Sequence, residues 1–115
     1  MKLLIVEDNT LMRELIRSMV HDLAVVVEEC SGGEEAIVRY AETLPDCVLM
    51  DYEMGEMDGL TATATILSDH PDARIVLVTQ YNDRYLRAAA LAAGACGFVE
   101  KENLSAVREL IGQMM

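Results

Sequence analysis

The sequence has no tryptophan and one phenylalanine, and aromatic residues make up only 4% of its 115 residues. Hydrophobic residues nevertheless form 52% of the chain, so aliphatic side chains and methionine must build the core. No apolar run approaches the ~20 residues that cross a bilayer, and no secretory leader pattern is present. We therefore expect a single cytoplasmic domain over residues 1–115, without a membrane-spanning segment.

Cysteine and histidine are scarce, and their spacing matches neither a disulfide framework nor a metal site. Cys30, Cys47 and Cys96 lack the C-x-x-C pattern and lie in or beside apolar runs. This predicts small buried side chains in a reducing compartment. His21 and His70 have no second metal ligand at suitable spacing, so we expect them on the surface or at helix ends.

Basic residues are few, since 9 lysines and arginines stand against 20 aspartates and glutamates and the net charge is −11. An acidic surface repels the phosphates of nucleic acids and of anionic lipids. The composition therefore predicts that this domain binds neither nucleic acid nor membrane directly.

Short apolar runs alternate along the chain with segments whose apolar residues recur at helical spacing. Strands that are each followed by a helix after a short connection require right-handed crossovers and a parallel sheet covered on both faces. We therefore predict an α/β domain of five strands and five helices. The strands are predicted over residues 3–6, 24–27, 47–50, 74–79 and 97–99.

Capping residues mark the predicted helix ends. Residues 31–34 match the S-x-x-E capping box of the second helix, and Asp58 can cap the third. Asn82 or Asp83 can cap the fourth helix, which Gly94 ends. The side chains expected to face the sheet include Leu11, Met12, Leu15, Ile16 and Met19 in the first helix and Leu60, Ala64 and Leu67 in the third.

Side chains suited to chemistry follow four of the predicted strands: Glu7 and Asp8, then Asp51, Thr79 and Lys101. The carboxyl ends of parallel strands meet at one edge of the sheet, so these side chains should share a crevice if the strand order places strands one, three, four and five side by side. Three carboxylates held close together need a compensating cation, and oxygen ligands favour Mg²⁺. The lysine and the hydroxyl would neutralise a transferring phosphoryl group, with Asp51 as the nucleophile.

These residues stand in the segments IVEDN, MDYEMGEMDG, VLVTQ and GFVEK, and together they resemble the receiver domain of two-component response regulators. The resemblance covers essentially the whole chain. It implies a flavodoxin-like, doubly wound sheet in the order 2-1-3-4-5. It also implies a phosphoacceptor that takes phosphate from a sensor histidine kinase and switches its partner-binding surface. Such a domain catalyses only its own phosphorylation and dephosphorylation.

The resemblance also implies a role for each acidic residue. Asp51 would be the phosphoacceptor, and Asp8 and Asp51 would ligate Mg²⁺ together with the backbone carbonyl of Glu53. Glu7 would act on the metal through water. Glu53 and Tyr81 would flank the crevice, where they would influence the hydrolysis rate.

By the same resemblance, Thr79 and Lys101 would bind the phosphoryl oxygens. Thr79 would move to meet the phosphoryl group, and Phe98 would turn inward in response, with the loop after Thr79 and the next helix as the moving element. Because Phe98 has no hydroxyl, such switching must be steric. Ordinary packing of a single phenylalanine in the core is the alternative.

Residues 79–104 resemble the receivers that precede a helix-turn-helix transcription domain of the NarL type. No such domain follows in this sequence, so the resemblance implies either a free-standing receiver or the regulatory part of a longer transcription regulator. Arg84, Arg87 and Arg108 near the last two helices would suit salt bridges in a homodimer. Ordinary solvated helix faces explain these arginines more simply.

Three residues depart from the usual family pattern. Gly55 replaces a frequent proline, which should leave the loop after Asp51 more mobile. Gln80 replaces a small residue, which predicts slow phosphorylation by small donors. Glu102 replaces a proline with a cis peptide, so either the Lys101–Glu102 peptide is trans and Lys101 sits differently, or strain is retained.

Two rival functions remain open at this point. Residues 51–53 loosely resemble the aspartate dyad of haloacid dehalogenase phosphatases, although that nucleophile ordinarily follows the first strand. A structural interaction module that no longer takes phosphate is the other rival, and Gln80 and Glu102 keep it open.

Overall fold

The computed structural model describes residues 1–24, 26–81 and 83–115, and within them five strands alternate with five helices. The strands are β1 Lys2–Val6, β2 Val26–Cys30, β3 Cys47–Asp51, β4 Ile75–Thr79 and β5 Gly97–Glu100. The helices are α1 Thr10–Val20, α2 Gly33–Thr43, α3 Gly59–Asp69, α4 Arg84–Ala92 and α5 Ser105–Met114, with a 3₁₀ turn at Lys101–Asn103.

The strands form one parallel sheet in the order β2-β1-β3-β4-β5, so the predicted flavodoxin-like fold is confirmed. Every residue of β3 and β4 is buried, which explains why both read as continuous apolar runs. The strand order reverses direction between β1 and β3. In open α/β sheets, that point lies beneath the crevice that binds ligands.

Hydrophobic cores lie on both faces of the sheet. Leu4 and Val6 point into the core beneath α2, α3 and α4, while Leu3 and Ile5 point into the core beneath α1 and α5. Successive residues of β1 therefore pack on opposite faces, as the alternation of side chains along a strand requires. The helices on both faces hold the strand ends in fixed positions.

The second strand lies further along the chain than the predicted segment 24–27, of which Val25 falls outside the described residues. The prediction was wrong because two glutamates interrupt the apolar pattern. Their carboxylates pair with arginines of the flanking helices instead of facing open solvent. The pairs are Glu28 with Arg39 of α2 at 3.3 Å and Glu29 with Arg17 of α1 at 2.8 Å.

The capping box predicted at Ser31 is wrong. Helix α2 begins at Gly33, its N-cap is Gly32, and no side chain caps it. Ser31 therefore lies one residue too early to reach the amides of the first turn.

The other predicted caps agree with the structure. Asp58 accepts a hydrogen bond from the Thr61 amide at 2.8 Å, and Asp83 accepts one from the Tyr85 amide at 2.8 Å. The alternative cap Asn82 lies outside the described residues. Gly94, just after α4, has a φ of 101°, which explains why glycine ends this helix.

The apolar stripe predicted for α1 is partly wrong. Ile16 is buried and Met12 is half-buried, but Leu11 and Leu15 are 77% and 47% exposed. The side of the helix that carries Ile16 faces the sheet, rather than the side that carries the two leucines. Leu11 and Leu15 instead line the cavity at the carboxyl edge. In α3 the buried stripe is Ala62, Thr63 and Ile66, whereas Leu60 and Leu67 are half-buried and Ala64 is exposed.

Cys30 and Cys47 are buried as predicted, and burial raises the pKa of the Cys30 thiol to about 11 and that of Cys47 to about 12. Cys96 is exposed, so the prediction that it is buried was wrong. It lies just before β5, at the edge of the sheet. His21 and His70 are the C-cap residues of α1 and α3, which confirms their placement at helix ends.

The longest helices have 11 residues. Among the residues that the structure describes, none of the helices has both the length and the apolar character needed to cross a bilayer.

Candidate functional site

The side chains predicted to carry the chemistry lie together at the carboxyl edge of the sheet. Glu7 directly follows β1, and Lys101 directly follows β5. Asp51 and Thr79 are the last residues of the adjacent strands β3 and β4. All four side chains, together with Asp8, line one cavity of about 630 Å³. The structure thus brings every predicted strand-end residue to one site.

Three carboxylates meet in this cavity. One oxygen each from Glu7, Asp8 and Asp51 lies within 4.8 Å of the other two. Glu7 and Asp51 are buried, while Asp8 is exposed. Carboxylates this close repel one another unless a cation compensates them. A set of oxygen donors that is open to water on one side fits Mg²⁺, which usually keeps several water ligands.

Lys101 lies between the two buried carboxylates. Its Nζ is 2.7 Å from Glu7 Oε1 and 3.0 Å from Asp51 Oδ1. Burial alone would lower the pKa of Lys101, but the hydrogen bonds and charges of Glu7 and Asp51 outweigh it and raise the pKa. The lysine is therefore charged and compensates one of the two buried negative charges.

The peptide between Lys101 and Glu102 is trans. This decides the alternative that the sequence left open at the position where family members frequently carry a cis proline. Residues 101–103 form a 3₁₀ turn, and Lys101 still reaches Asp51 from it. A proline is therefore not needed to aim this lysine into the site.

The start of α1 fixes the first carboxylate, which the sequence analysis did not foresee. The Asn9 amide donates to Glu7 Oε2 at 3.2 Å, and the Asn9 side chain caps α1 by accepting from the Met12 amide at 2.9 Å. Arg13 donates to the Glu7 carbonyl at 2.9 Å. An asparagine just before a helical apolar pattern is the signal that could have identified this cap.

Gly59 allows the loop after β3 to fold back against Asp51. Its amide donates to the Tyr52 carbonyl at 2.7 Å, and a Cβ at this position would lie only 2.0 Å from the Asp51 carbonyl oxygen. This requirement was not predicted, although a glycine directly after the Asp58 cap is a signal of close backbone approach. Gly55 has a φ of 53°, which explains why glycine replaces proline there.

The rim of the cavity is bridged by a contact between two loops. The Tyr81 hydroxyl donates to Glu53 Oε2 at 2.5 Å, and the Tyr52 and Tyr81 rings meet edge to face with centroids 6.3 Å apart. Thr79 Oγ1 accepts from the Tyr81 amide at 3.1 Å, and the exposed Gln80 lines the cavity beside it. The sequence placed Glu53 and Tyr81 near the crevice but did not predict that they bond.

Phe98 is buried in the core beneath α4, and the Arg87 guanidinium lies 4.6 Å from the centre of its ring. The ring therefore lies inward and is covered from α4. Arg108 is bonded within the chain to Asp22 at 2.7 Å, which leaves it less available for the intersubunit salt bridges considered above. Arg84 lies 5.3 Å from the ring centre of its neighbour Tyr85.

The position of Asp51 at the end of the third strand disagrees with the phosphatase alternative, whose nucleophile follows the first strand. Comparisons with known proteins agree with the receiver domain. Residues 3–112 match the response regulator receiver domain.

Several known proteins are similar to this chain. Chemotaxis protein CheY of Listeria monocytogenes is 38% identical over 102 residues, which cover 88% of this chain and 86% of that protein. Response regulator GacA of Pseudomonas syringae is also 38% identical over 102 residues, but this chain covers only 48% of it. The crystal structure of a LuxR-family two-component response regulator from Aurantimonas matches 97% of this chain and 85% of that chain, with a TM-score of 0.86 and 28% identity. The chain therefore belongs to the response regulator receiver domain family.

Proposed function

We propose that Asp51 accepts a phosphoryl group from the phosphohistidine of a sensor histidine kinase. Members of the receiver domain family are phosphorylated on an aspartate and partner with sensor kinases. The observation that carries the assignment to Asp51 is its contact with Lys101 at 3.0 Å, inside the cavity that also holds Glu7 and Asp8. We place this reaction in the cytoplasm.

Receiver domains generally use Mg²⁺ at an acidic pocket, and the clustered carboxylates of this chain fit that ion. Asp8, Asp51 and the backbone carbonyl of Glu53 would hold the metal, and Glu7 would act on it through water. When bound, the metal supplies positive charge next to the oxygens of the transferring group.

The transfer is a nucleophilic displacement at phosphorus. An Asp51 carboxylate oxygen attacks the phosphorus, the bond from phosphorus to the donor nitrogen breaks, and the imidazole nitrogen keeps the electron pair. The Thr79 hydroxyl donates to a phosphoryl oxygen, and the Lys101 ammonium neutralises charge on another. Hydrolysis later returns Asp51 to its carboxylate and releases inorganic phosphate. The chain would thus catalyse only its own phosphorylation and dephosphorylation.

Phosphorylation would change the surface that partners contact. Thr79 and Phe98 would be the switch residues, with the loop after β4 and helix α4 as the moving element. Arg87 covers the Phe98 ring, so a change in the position of Phe98 would be transmitted to α4.

The chain spans about half of GacA and 86% of the Listeria CheY. The LuxR-family response regulators among the similar structures, one of them titled DNA-binding, support the regulatory part of a transcription regulator with a C-terminal DNA-binding domain. The similarity to the chemotaxis protein CheY supports a free-standing receiver. In either case a homodimer partner is compatible with the exposed face of α4, and DNA contact would belong to the further domain.

The experiment is incubation with Mg²⁺ and acetyl phosphate or phosphorylated kinase, followed by intact-protein mass spectrometry. The expected result is a single phosphorylation that is lost in Asp51→Asn. Asp58→Asn is the matched control, because asparagine also caps a helix and Asp58 lies on the same loop. An unmodified wild type with both donors would instead support the interaction module, and sustained release of phosphate without a stable product would support a phosphatase.

A further inference from the structure

The backbone of Glu7 is held on both sides at the point where β1 ends. Its amide donates to the carbonyl of Cys30, the last residue of the edge strand β2, at 3.0 Å. Its carbonyl accepts a hydrogen bond from Arg13 Nη1 of helix α1 at 2.9 Å. Glu7 is fully buried, so this guanidinium takes the place of the strand or water that would otherwise satisfy the carbonyl.

Arg13 is itself fixed by the edge strand. Its Nε lies 3.5 Å from Glu29 Oε1, and Arg17, one helical turn further along, lies 2.8 Å from the other oxygen, Glu29 Oε2. The Arg13 side chain is only 22% exposed, against 48% for Arg17. A planar guanidinium can donate in two fixed directions at once. Arg13 therefore joins β2 to the backbone after β1, whereas Arg17 joins only α1 to β2.

The carbonyl that Arg13 holds belongs to the peptide between Glu7 and Asp8. Because a peptide unit is planar, fixing the direction of this carbonyl also fixes the positions of the two Cα atoms that flank it. The carboxylates carried by these two residues lie within 4.8 Å of each other and of Asp51. Asp8 is exposed, so no surrounding core holds its side chain, and its direction depends on the backbone that carries it.

We propose that Arg13 is a positioning residue for the acidic pair Glu7 and Asp8. It holds the peptide between them, so that their carboxylates present an ordered set of oxygens to a divalent cation, and Glu29 holds Arg13 in place. The proposal rests on the proposed function, since the cation is the Mg²⁺ of the same site. Groups that orient metal ligands raise the affinity for the metal, because ligands that are ordered beforehand lose less freedom on binding.

Three substitutions separate this role from ordinary attachment of α1. Arg13→Met removes every donor and keeps an unbranched side chain, and Arg13→Lys keeps the charge but not the donation in two directions. Arg17→Met is the matched control, because it removes the shorter of the two pairs with Glu29 and leaves the bond to the Glu7 carbonyl in place. Calorimetric titration of the unphosphorylated protein measures Mg²⁺ affinity, and circular dichroism measures folding.

We expect Arg13→Met to weaken Mg²⁺ binding about tenfold, as for the loss of other groups that orient metal ligands. Arg17→Met should change the affinity by less than about twofold, because its pair with Glu29 is largely solvated. Arg13→Lys should lie between the two.

Phosphorylation by acetyl phosphate separates metal binding from the reaction itself. In Arg13→Met, the Mg²⁺ concentration that gives half of the maximal rate should rise by the same factor as the dissociation constant. The rate at saturating Mg²⁺ should change by less than about twofold, because the substitution removes binding and not the reacting groups. A general structural defect would instead lower the saturated rate.

The carbon-13 resonance of the Glu7 carbonyl reports the hydrogen bond without metal or phosphate. It should move in Arg13→Met and stay in place in Arg17→Met. Unchanged Mg²⁺ affinity in Arg13→Met, or an equal loss in Arg17→Met, would overturn the positioning role alone. If Arg13→Met does not fold, Arg13→Lys decides, and wild-type affinity in that variant would overturn the role. A wild type that neither binds Mg²⁺ nor accepts phosphate would overturn the proposed function and this inference with it.

Discussion

The two edges of the sheet differ in how they compensate charge. At the amino edge, each charged group bonds to a neutral backbone group: the Lys2 ammonium donates to the Thr43 carbonyl at 2.7 Å, and the Lys2 amide donates to the Asp46 carboxylate at 2.7 Å. At the carboxyl edge, the carboxylates of Glu7 and Asp51 share the ammonium of Lys101, and Asp8 lies beside them. The same five strands build both edges, so the surplus of negative charge is a property of the site and not of the fold.

The substitution with the largest expected effect on this difference removes the shared cation. Lys101→Met leaves two buried carboxylates without compensation, and we expect a loss of about 3 to 5 kcal/mol in the free energy of unfolding at neutral pH. Lys2→Met at the amino edge should cost only about 0 to 1 kcal/mol, because its charge is partly solvated. Urea denaturation measures both, and equal losses would show that the two edges do not differ in this way.

The pH dependence of the Lys101 contribution follows from its raised pKa. Its stabilisation is fully present below the unfolded value of about 10.5 and is lost as the pH rises through the higher folded value. The difference in stability between wild type and Lys101→Met should therefore shrink at alkaline pH. Added Mg²⁺ should recover part of the stability of Lys101→Met at neutral pH, and no recovery would count against a metal at these carboxylates.

A second test concerns the space at the carboxyl edge. Gly59→Ala places a Cβ 2.0 Å from the Asp51 carbonyl oxygen, so the loop must shift, and we expect a loss of about 2 to 3 kcal/mol together with reduced phosphorylation. Gly112→Ala is the control, because nothing lies within 4 Å of a Cβ at that position in α5. That change should stabilise the domain by about 0.5 to 1 kcal/mol. Similar urea midpoints for the two variants would contradict the close approach.

A third test concerns the access of donors. Gln80 is exposed and lines the cavity beside Thr79. We expect Gln80→Ala to raise the rate of phosphorylation by acetyl phosphate by about twofold to fivefold, equivalent to less than about 1 kcal/mol. The rate is measured by quenched-time mass spectrometry, and a mutant no faster than wild type would refute the obstruction.

The substitution with the smallest expected effect is at a residue near the amino edge. Leu44, the C-cap of α2, has a φ of 46° in the left-handed region. Leu44→Gly should stabilise the domain by about 0.5 to 1 kcal/mol, because glycine adopts this conformation without a side-chain clash. Leu44→Ala keeps the unfavourable conformation and should give no gain. Thermal unfolding compares the two, and phosphorylation should be unaffected by either.

The fold could be predicted from the sequence where each strand carries its own pattern. Strands β3 and β4 are apolar at nearly every position, and Asp58 and Asp83 mark helix starts through contacts within three residues. Strand β2 was misplaced because its glutamates pair with arginines of the preceding and following helices, 12 and 11 residues away in sequence. Its position thus depends on contacts that a local pattern does not contain.

The membership of the candidate site was predictable for a similar reason. Parallel strands bring their carboxyl ends to one edge, and the strand order implied by the family resemblance placed Glu7, Asp51, Thr79 and Lys101 together there. The role of Gly59 and the hydrogen bond between Glu53 and Tyr81 were not predictable, because both depend on distances between loops. Periodicity describes which elements form, but not how closely two loops approach.

Strand β1 has a further consequence for the accuracy of the site. Its alternate residues are committed to opposite cores, with Leu3 and Ile5 on one side and Leu4 and Val6 on the other. A slip of one residue along the neighbouring strands would exchange the two sets and expel both from their places. Aliphatic packing on both faces of the sheet therefore fixes the position of Glu7 along the strand direction. Residues that take no part in the chemistry thus determine where this carboxylate lies.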